Sequence, residues 1–178
     1  MAIFRSRFPS RPAVLYAFVA CVFPIHVWSI INILRTVPSW ILSMDIWQLI
    51  GVIAYTQAFA LLESIIVFLI LLFLAIILPA KWLRDRFVAQ VCMAVFLATA
   101  WAILAHFYGQ NYGIWVIKRF LLSMVPLLVL IIVFSILIYR FKSLQKIIDA
   151  FVEHLLVLSF LYVGIDILSI MVILFRNW

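Results

Sequence analysis

Charged residues are scarce in this sequence of 178 residues, where they make up 11% of the chain, and only six residues are acidic. An ordinary soluble domain contains about 25% charged residues. Hydrophobic residues account for 70% of the chain, and the mean hydropathy is +1.33. A small soluble fold leaves much of its surface exposed and cannot hide so much apolar material from water. The composition therefore excludes a soluble enzyme, a nucleic-acid-binding domain and a disordered segment.

Sequence motifs for catalysis and metal binding are also missing. The chain has only four glycines and two cysteines, and it contains no Walker motif, no His-Glu-x-x-His motif and no Cys-x-x-Cys pair. No serine has the flanking glycines of a nucleophile elbow. The few glycines and prolines do not form the paired interruptions common in secondary transporters. The sequence therefore predicts no metal site and no catalytic residue, and it disfavours both an enzyme and a stand-alone secondary transporter.

Long apolar stretches are the dominant feature that remains. A bilayer core of about 30 Å is crossed by a helix of about 20 apolar residues. No stretch shows the alternation of polar and apolar residues that a barrel strand requires. We therefore predict an all-α fold, a polytopic membrane helical bundle of five transmembrane helices that forms one domain over residues 1–178. The predicted spans cover about residues 13–34, 46–78, 87–108, 119–139 and 150–175.

The basic residues of the short loops predict the orientation of the bundle. Lysine and arginine concentrate on the cytoplasmic side of membrane proteins. With the N-terminus inside, nine basic residues face the cytoplasm and four face the exterior. This bias predicts an N-in, C-out topology in the plasma (inner) membrane. The inner residues are Arg5, Arg7, Arg11, Lys81, Arg84, Arg86, Arg140, Lys142 and Lys146, and the outer ones are Arg35, Lys118, Arg119 and Arg176.

Two connectors carry apolar residues at helical spacing. Residues 37–44 lie in the first outer loop, and residues 141–148 lie on the inner side among basic residues. Each pattern fits a short amphipathic helix on the membrane surface. Each also fits a simple extension of the neighbouring span, and the sequence does not separate the two interpretations.

Ionisable residues inside the predicted spans are the candidate site. Charged groups in a bilayer are costly and often functional. Counting the rise per residue from the inner end of each span places His26 at about 20 Å, Glu63 at about 22 Å and Asp166 at about 24 Å. Tyr162 shares a helical face with Asp166, and His106 comes out near 28 Å. These five residues are predicted to line a small polar pocket that opens outward.

The chemistry of this pocket has several interpretations. The residues could relay protons, bind a cation or hold a polar head group, or they could only hydrogen-bond between helices and fix the packing. His26 and His106 are also candidate ligands for a haem or pigment. Their depths differ by about 8 Å, which does not favour bis-histidine haem, whereas a pigment with one axial ligand fits either residue. The identity of any cofactor stays open at this point.

The predicted topology resembles that of one group of membrane enzymes. Five helices, N-in and C-out, with short loops, are similar to the membrane portion of lipoteichoic-acid-synthase-like and phosphoethanolamine-transferase-like enzymes. Those enzymes carry a large extracellular catalytic domain after the last helix. The resemblance covers topology and no sequence motif. It implies that this chain is the membrane half of a split lipid-head-group transferase.

Three functional hypotheses follow from the sequence. The first is a non-catalytic subunit or scaffold of a larger membrane complex, whose partners are the lipid bilayer and other membrane proteins but no nucleic acid. Its support is the small size of the chain and the unbroken apolar fourth span, which can serve as a partner face. The second is a small transporter or an ion or proton pathway through the polar pocket. The third is a pigment-, haem- or lipid-binding protein.

Overall fold

Five long helices make up the parts of the chain that the structure, a computed structural model, describes: residues 10–77, 86–109 and 116–178. These residues contain no strand, and each helix is long and apolar enough to cross a membrane. The prediction of an all-α bundle with five candidate spans is thereby confirmed. The helices are α1 (Arg11–Ile41), α2 (Ile46–Ile77), α3 (Phe87–Gly109), α4 (Val116–Arg140) and α5 (Lys142–Asn177).

Two helices are longer than the spans predicted from hydropathy. Helix α1 continues to Ile41 rather than ending near Leu34, and α5 begins at Lys142 rather than near Ala150. The connectors of uncertain role therefore extend α1 and α5 and do not form separate surface helices. Hydropathy locates the apolar part of a helix, whereas backbone hydrogen bonds continue into polar residues. Leu78, the predicted end of the second span, lies outside the described residues.

Side-chain caps fix the starts of α1 and α2. The Ser10 hydroxyl accepts a hydrogen bond from the Ala13 N–H at 3.4 Å. The Asp45 carboxylate accepts one from the Gln48 N–H at 2.7 Å, and the Gln48 side-chain oxygen accepts one from the Asp45 N–H at 3.4 Å. This reciprocal pair is a capping box, which satisfies two backbone N–H groups that a helix start leaves unpaired. The capping box fixes the start of α2, which follows α1 after a short connector and packs antiparallel to it.

Helix α1 occupies the centre of the bundle. It packs against α2, α3 and α5, and 44% of its apolar window is buried, compared with 11% for α4. Ala17 and Ala20 are fully buried, and small side chains let neighbouring helices approach closely. Helix α4 packs mainly against α3, so the apolar fourth span lies at the side of the bundle, as the sequence indicates.

Polar contacts join the helices at both ends of the bundle. At one end, the Arg86 guanidinium donates a hydrogen bond to the backbone oxygen of Ile138 at 2.8 Å, which links the start of α3 to the end of α4. At the other end, the Asn177 side-chain amide donates to the Tyr55 hydroxyl at 2.9 Å, which links α5 to α2. Each contact ties together two helices, α3 with α4 at one end and α5 with α2 at the other.

The number of helices predicts that the two chain ends lie on opposite sides of the membrane. If the chain has the predicted N-in, C-out topology, alkaline phosphatase fused after Trp178 should be active, and green fluorescent protein at the same position should stay dark, because five passes bring this end to the outer side. Fusions after Phe141, between α4 and α5, provide the control and should behave in the opposite way. A fluorescent fusion after Trp178 would contradict the N-in, C-out topology.

Candidate functional site

A buried hydrogen-bonded pair joins α1 to α5. His26 on α1 is fully buried, and Asp166 on α5 is 3% exposed. The His26 Nε2 atom lies 3.0 Å from one carboxylate oxygen of Asp166 and 3.2 Å from the other. No lysine or arginine is buried among the residues that the structure describes. Histidine and aspartate therefore compensate each other in this interior, where either group alone would be costly.

The second ring nitrogen of His26 defines the protonation of the pair. The Nδ1 atom lies 3.0 Å from the backbone oxygen of Val22. A carbonyl oxygen only accepts hydrogen bonds, so Nδ1 carries a proton in this arrangement. One further proton then lies between Nε2 and the Asp166 carboxylate, and it is bound either to Nε2 or to a carboxylate oxygen. The result is an ion pair or a neutral pair, and its net charge is zero in both cases.

Tyr162 covers the pair on α5. It precedes Asp166 by about one helical turn, and its side chain is buried. Its ring centroid lies 5.3 Å from that of His26 and 6.2 Å from that of Phe23. The predicted residues His26, Asp166 and Tyr162 are therefore adjacent in the structure, and aromatic side chains shield the pair on this side.

Helix register places a second polar residue pair at one level near His26. The rings of Phe18 on α1 and Phe68 on α2 are in contact, with centroids 5.4 Å apart. The two helices are antiparallel, so residues equally distant from this contact lie at the same level. Ser29 follows Phe18 by eleven residues, and Gln57 precedes Phe68 by eleven. Ser29 and Gln57 therefore face the same layer of the bundle.

This layer lies directly next to the buried pair and includes a third residue. Ser169 follows Asp166 by three residues, just as Ser29 follows His26 by three, and α1 and α5 run in the same direction. Ser29, Gln57 and Ser169 are all buried. The Ser29 hydroxyl and the Gln57 side-chain oxygen have no hydrogen-bond partner. Buried polar atoms of native proteins nearly always have a partner, which is often an ordered water molecule.

Glu63 lies apart from this group. Its side chain is exposed on α2, whereas the next residue, Ser64, is fully buried and donates a hydrogen bond to the Ala60 backbone oxygen at 2.7 Å. The predicted pocket with Glu63 beside His26 and Asp166 therefore does not form in this structure. Glu63 instead stands on the outer surface of α2.

His106 also lies away from the pair. It is exposed near the end of α3, and its ring contacts Trp28 at 5.9 Å and Phe107 at 6.0 Å between centroids. Both ring nitrogens of His26 face oxygen atoms, so axial ligation of a cofactor by His26 requires one of these contacts to break. Among the described ranges, no three His, Cys, Asp or Glu side chains form a group that could hold a metal ion.

Comparisons with known proteins add no family assignment. No protein family, no curated protein and no solved structure matches this chain. The class is therefore defined by the fold alone: an all-helical bundle with five helices that are compatible with a membrane protein. Its distinguishing feature is the buried His26–Asp166 pair.

Gln57 was missed by reasoning from the sequence, although a signal was present. By helical spacing, Thr56 and Ala60 share a face of the second span with Glu63, and an acidic residue in a membrane span is expected to point inward. Between residues 51 and 64 of α2, the buried residues instead form a stripe that does not include Glu63. All of them are small except one glutamine: Gly51, Ala54, Gln57, Ala60 and Ser64. Small residues at a spacing of three to four mark the face where helices approach closely.

The buried pair predicts a specific effect on stability. Asp166→Ala leaves the Nε2 atom of His26 without its partner, and we expect a loss of about 1–3 kcal/mol, the usual cost of an unpaired buried polar group. Glu153→Ala, at an exposed position on the same helix, is the control and should change stability by less than about 0.5 kcal/mol. Thermal unfolding in detergent, followed by tryptophan fluorescence, measures both. Equal effects of the two substitutions would show that the pair contributes nothing to stability.

Proposed function

We propose that this protein is a non-catalytic subunit of a membrane complex and that the Glu63 face of α2 contacts a second membrane protein. The observation that carries the proposal is the position of Glu63. It follows the start of α2 by seventeen residues and precedes its end by fourteen, and its side chain is exposed. A carboxylate therefore stands near the middle of an otherwise apolar helix, on its outer surface.

The surroundings of Glu63 support a protein partner rather than lipid. The neighbouring exposed residues Phe59, Leu62 and Ile66 are all apolar. An acidic side chain at the centre of a membrane helix costs about 2.5–3.5 kcal/mol on insertion scales. A hydrogen-bond donor or a basic group on a neighbouring helix would offset this cost. The exposed carboxylate thus favours a partner that supplies such a group at the same depth.

The partner is proposed to be a different chain. In the part of the chain that the structure describes, the exposed residues near the middle of the other helices are apolar, as with Leu128 and Ile132 on α4. A second copy would therefore bring no donor to Glu63, and a symmetric contact would place two Glu63 carboxylates together. The proposed partner carries Lys, Arg, Ser, Thr, Asn or Gln within a membrane span. The distribution of basic residues supports an orientation with the N-terminus in the cytoplasm, and the proposed location is the plasma membrane.

Photocrosslinking in cells tests this proposal. A photoreactive amino acid at Leu62 or Ile66, beside Glu63, should give one discrete protein product that mass spectrometry identifies. The same amino acid at Leu128 or Ile132 on α4 is the matched control and should not give that product. Glu63→Leu should lower the yield several-fold, because an interhelical polar contact contributes about 0.6–1.7 kcal/mol, whereas Glu63→Gln should retain most of it.

Three outcomes would contradict the proposal. One is a product that is equally abundant from α2 and α4. Another is a yield that does not change in Glu63→Leu. The third is a complex that contains only copies of this chain when the native protein is purified in mild detergent and its mass is measured.

A further inference from the structure

We infer that the His26–Asp166 pair is a proton-binding site that exchanges its proton with water at one end of the bundle only. This end is the one where α5 finishes, and it is called here the Arg176 end. The inference does not depend on the proposed partner of α2. It rests on the protonation of the pair and on the polar residues that follow it.

The pair holds a proton that can leave without breaking the helix contact at Val22. The Nδ1 proton of His26 is committed to the Val22 oxygen at 3.0 Å, whereas the other proton is shared between Nε2 and Asp166. Release of this shared proton leaves one negative charge on the pair, and its return restores zero net charge. The proton passes to a water molecule, which becomes a hydronium ion and carries the proton away.

The adjacent polar layer supplies hydrogen-bond positions for that water. Ser29 is 8% exposed and Gln57 is 3% exposed, and each has a side-chain oxygen without a partner. Ser169 is also buried at this level. Water molecules bound to these oxygen atoms would satisfy them and stand next to the shared proton.

Polar groups continue from this layer to the Arg176 end. Gly51 lies further along the buried face of α2, and the Arg176 side chain crosses it so closely that a Cβ atom at Gly51 would overlap the guanidinium group. Beside it, Asn177 donates a hydrogen bond to the Tyr55 hydroxyl. Arg176 follows Asp166 by ten residues, or about 15 Å of helix. Polar groups therefore occur at the level next to the pair and again at the Arg176 end.

Apolar side chains separate the pair from the other end of the bundle, where a cavity is lined in part by Arg86 and Asp149. Toward the start of α1, the buried residues before His26 include Val22, Cys21 and Ala20. Cys21 and Ala20 belong to two hydrophobic clusters with residues of α2, α3, α4 and α5. Neither cluster contains a residue with a charged side chain. A path for water from that end to the pair would have to pass the apolar residues of these clusters, and the one-sided exchange is inferred from this difference.

Few other titratable groups face the pair. On α5, Tyr162 lies against His26 and Arg176 lies at the far end. On α1 and α3, the buried cysteines are Cys21 and Cys92, in the two apolar clusters. On α2, Glu63 is exposed and Tyr55 is bonded to Asn177.

Nitrogen NMR of the protein in lipid bilayers tests the inference. ¹⁵N-labelled histidine in a His106→Gln, His154→Gln background reports on His26 alone. The Nε2 signal should change as the pH rises from mildly acidic to strongly alkaline, and Asp166→Asn should change this response. Exchange of the shared proton with D₂O should slow about tenfold in Ser29→Ala combined with Gln57→Met, the factor expected for loss of a strong hydrogen bond.

Two control variants make the result specific. Ser64→Ala removes a buried hydroxyl on α2 that already has a partner, and Cys21→Ala changes the apolar side of the pair. Both should leave the exchange rate unchanged. An Nε2 signal that is independent of pH in the parent protein would overturn proton binding. Equal exchange rates in the Ser29/Gln57 variant and in the controls would overturn the path to the Arg176 end.

Discussion

The hydrogen bond between His26 and Asp166 is the constraint on which the arrangement of the helices depends. It joins residues 140 positions apart, in the first and last helices of the bundle. Neither side chain is tolerable alone in an apolar interior, because a buried unpaired polar or charged group is strongly unfavourable. The pair therefore fixes both the rotation and the axial position of α5 against α1. The levels of Ser29 and Ser169 follow from that alignment.

The central position of α1 follows from the same contact together with its small residues. Ala17, Ala20 and Cys21 are fully buried and let α2 and α3 pack closely, while His26 faces α5 further along the helix. The result is a helix that is apolar and tightly packed in its first half and polar on its α5 side in its second half. The inference of one-sided proton exchange depends on this division.

Much of the fold was predictable from the sequence, because a bilayer core requires about 20 apolar residues per helix and few polar ones. Each predicted span corresponds to one of the five helices, although α1 continues to Ile41 and α5 already begins at Lys142. Depth placed His26 and Asp166 in one layer, but it placed Glu63 there as well and did not select the partner of His26. The rotation of α2 was not predictable, because a helix that is apolar on every side has no clear inner face. For that reason Glu63 was placed inside and Gln57 was overlooked.

A double-mutant cycle between His26 and Asp166 is the most direct test of this account. The free energies of unfolding of His26→Leu, Asp166→Leu and the double variant are measured in detergent and compared with that of the parent protein. If the pair holds α1 and α5 together, the double variant is less destabilised than the sum of the single variants, by more than about 0.5 kcal/mol. Additive effects within that margin would show that the two residues do not interact, and the alignment of the helices would then need another cause.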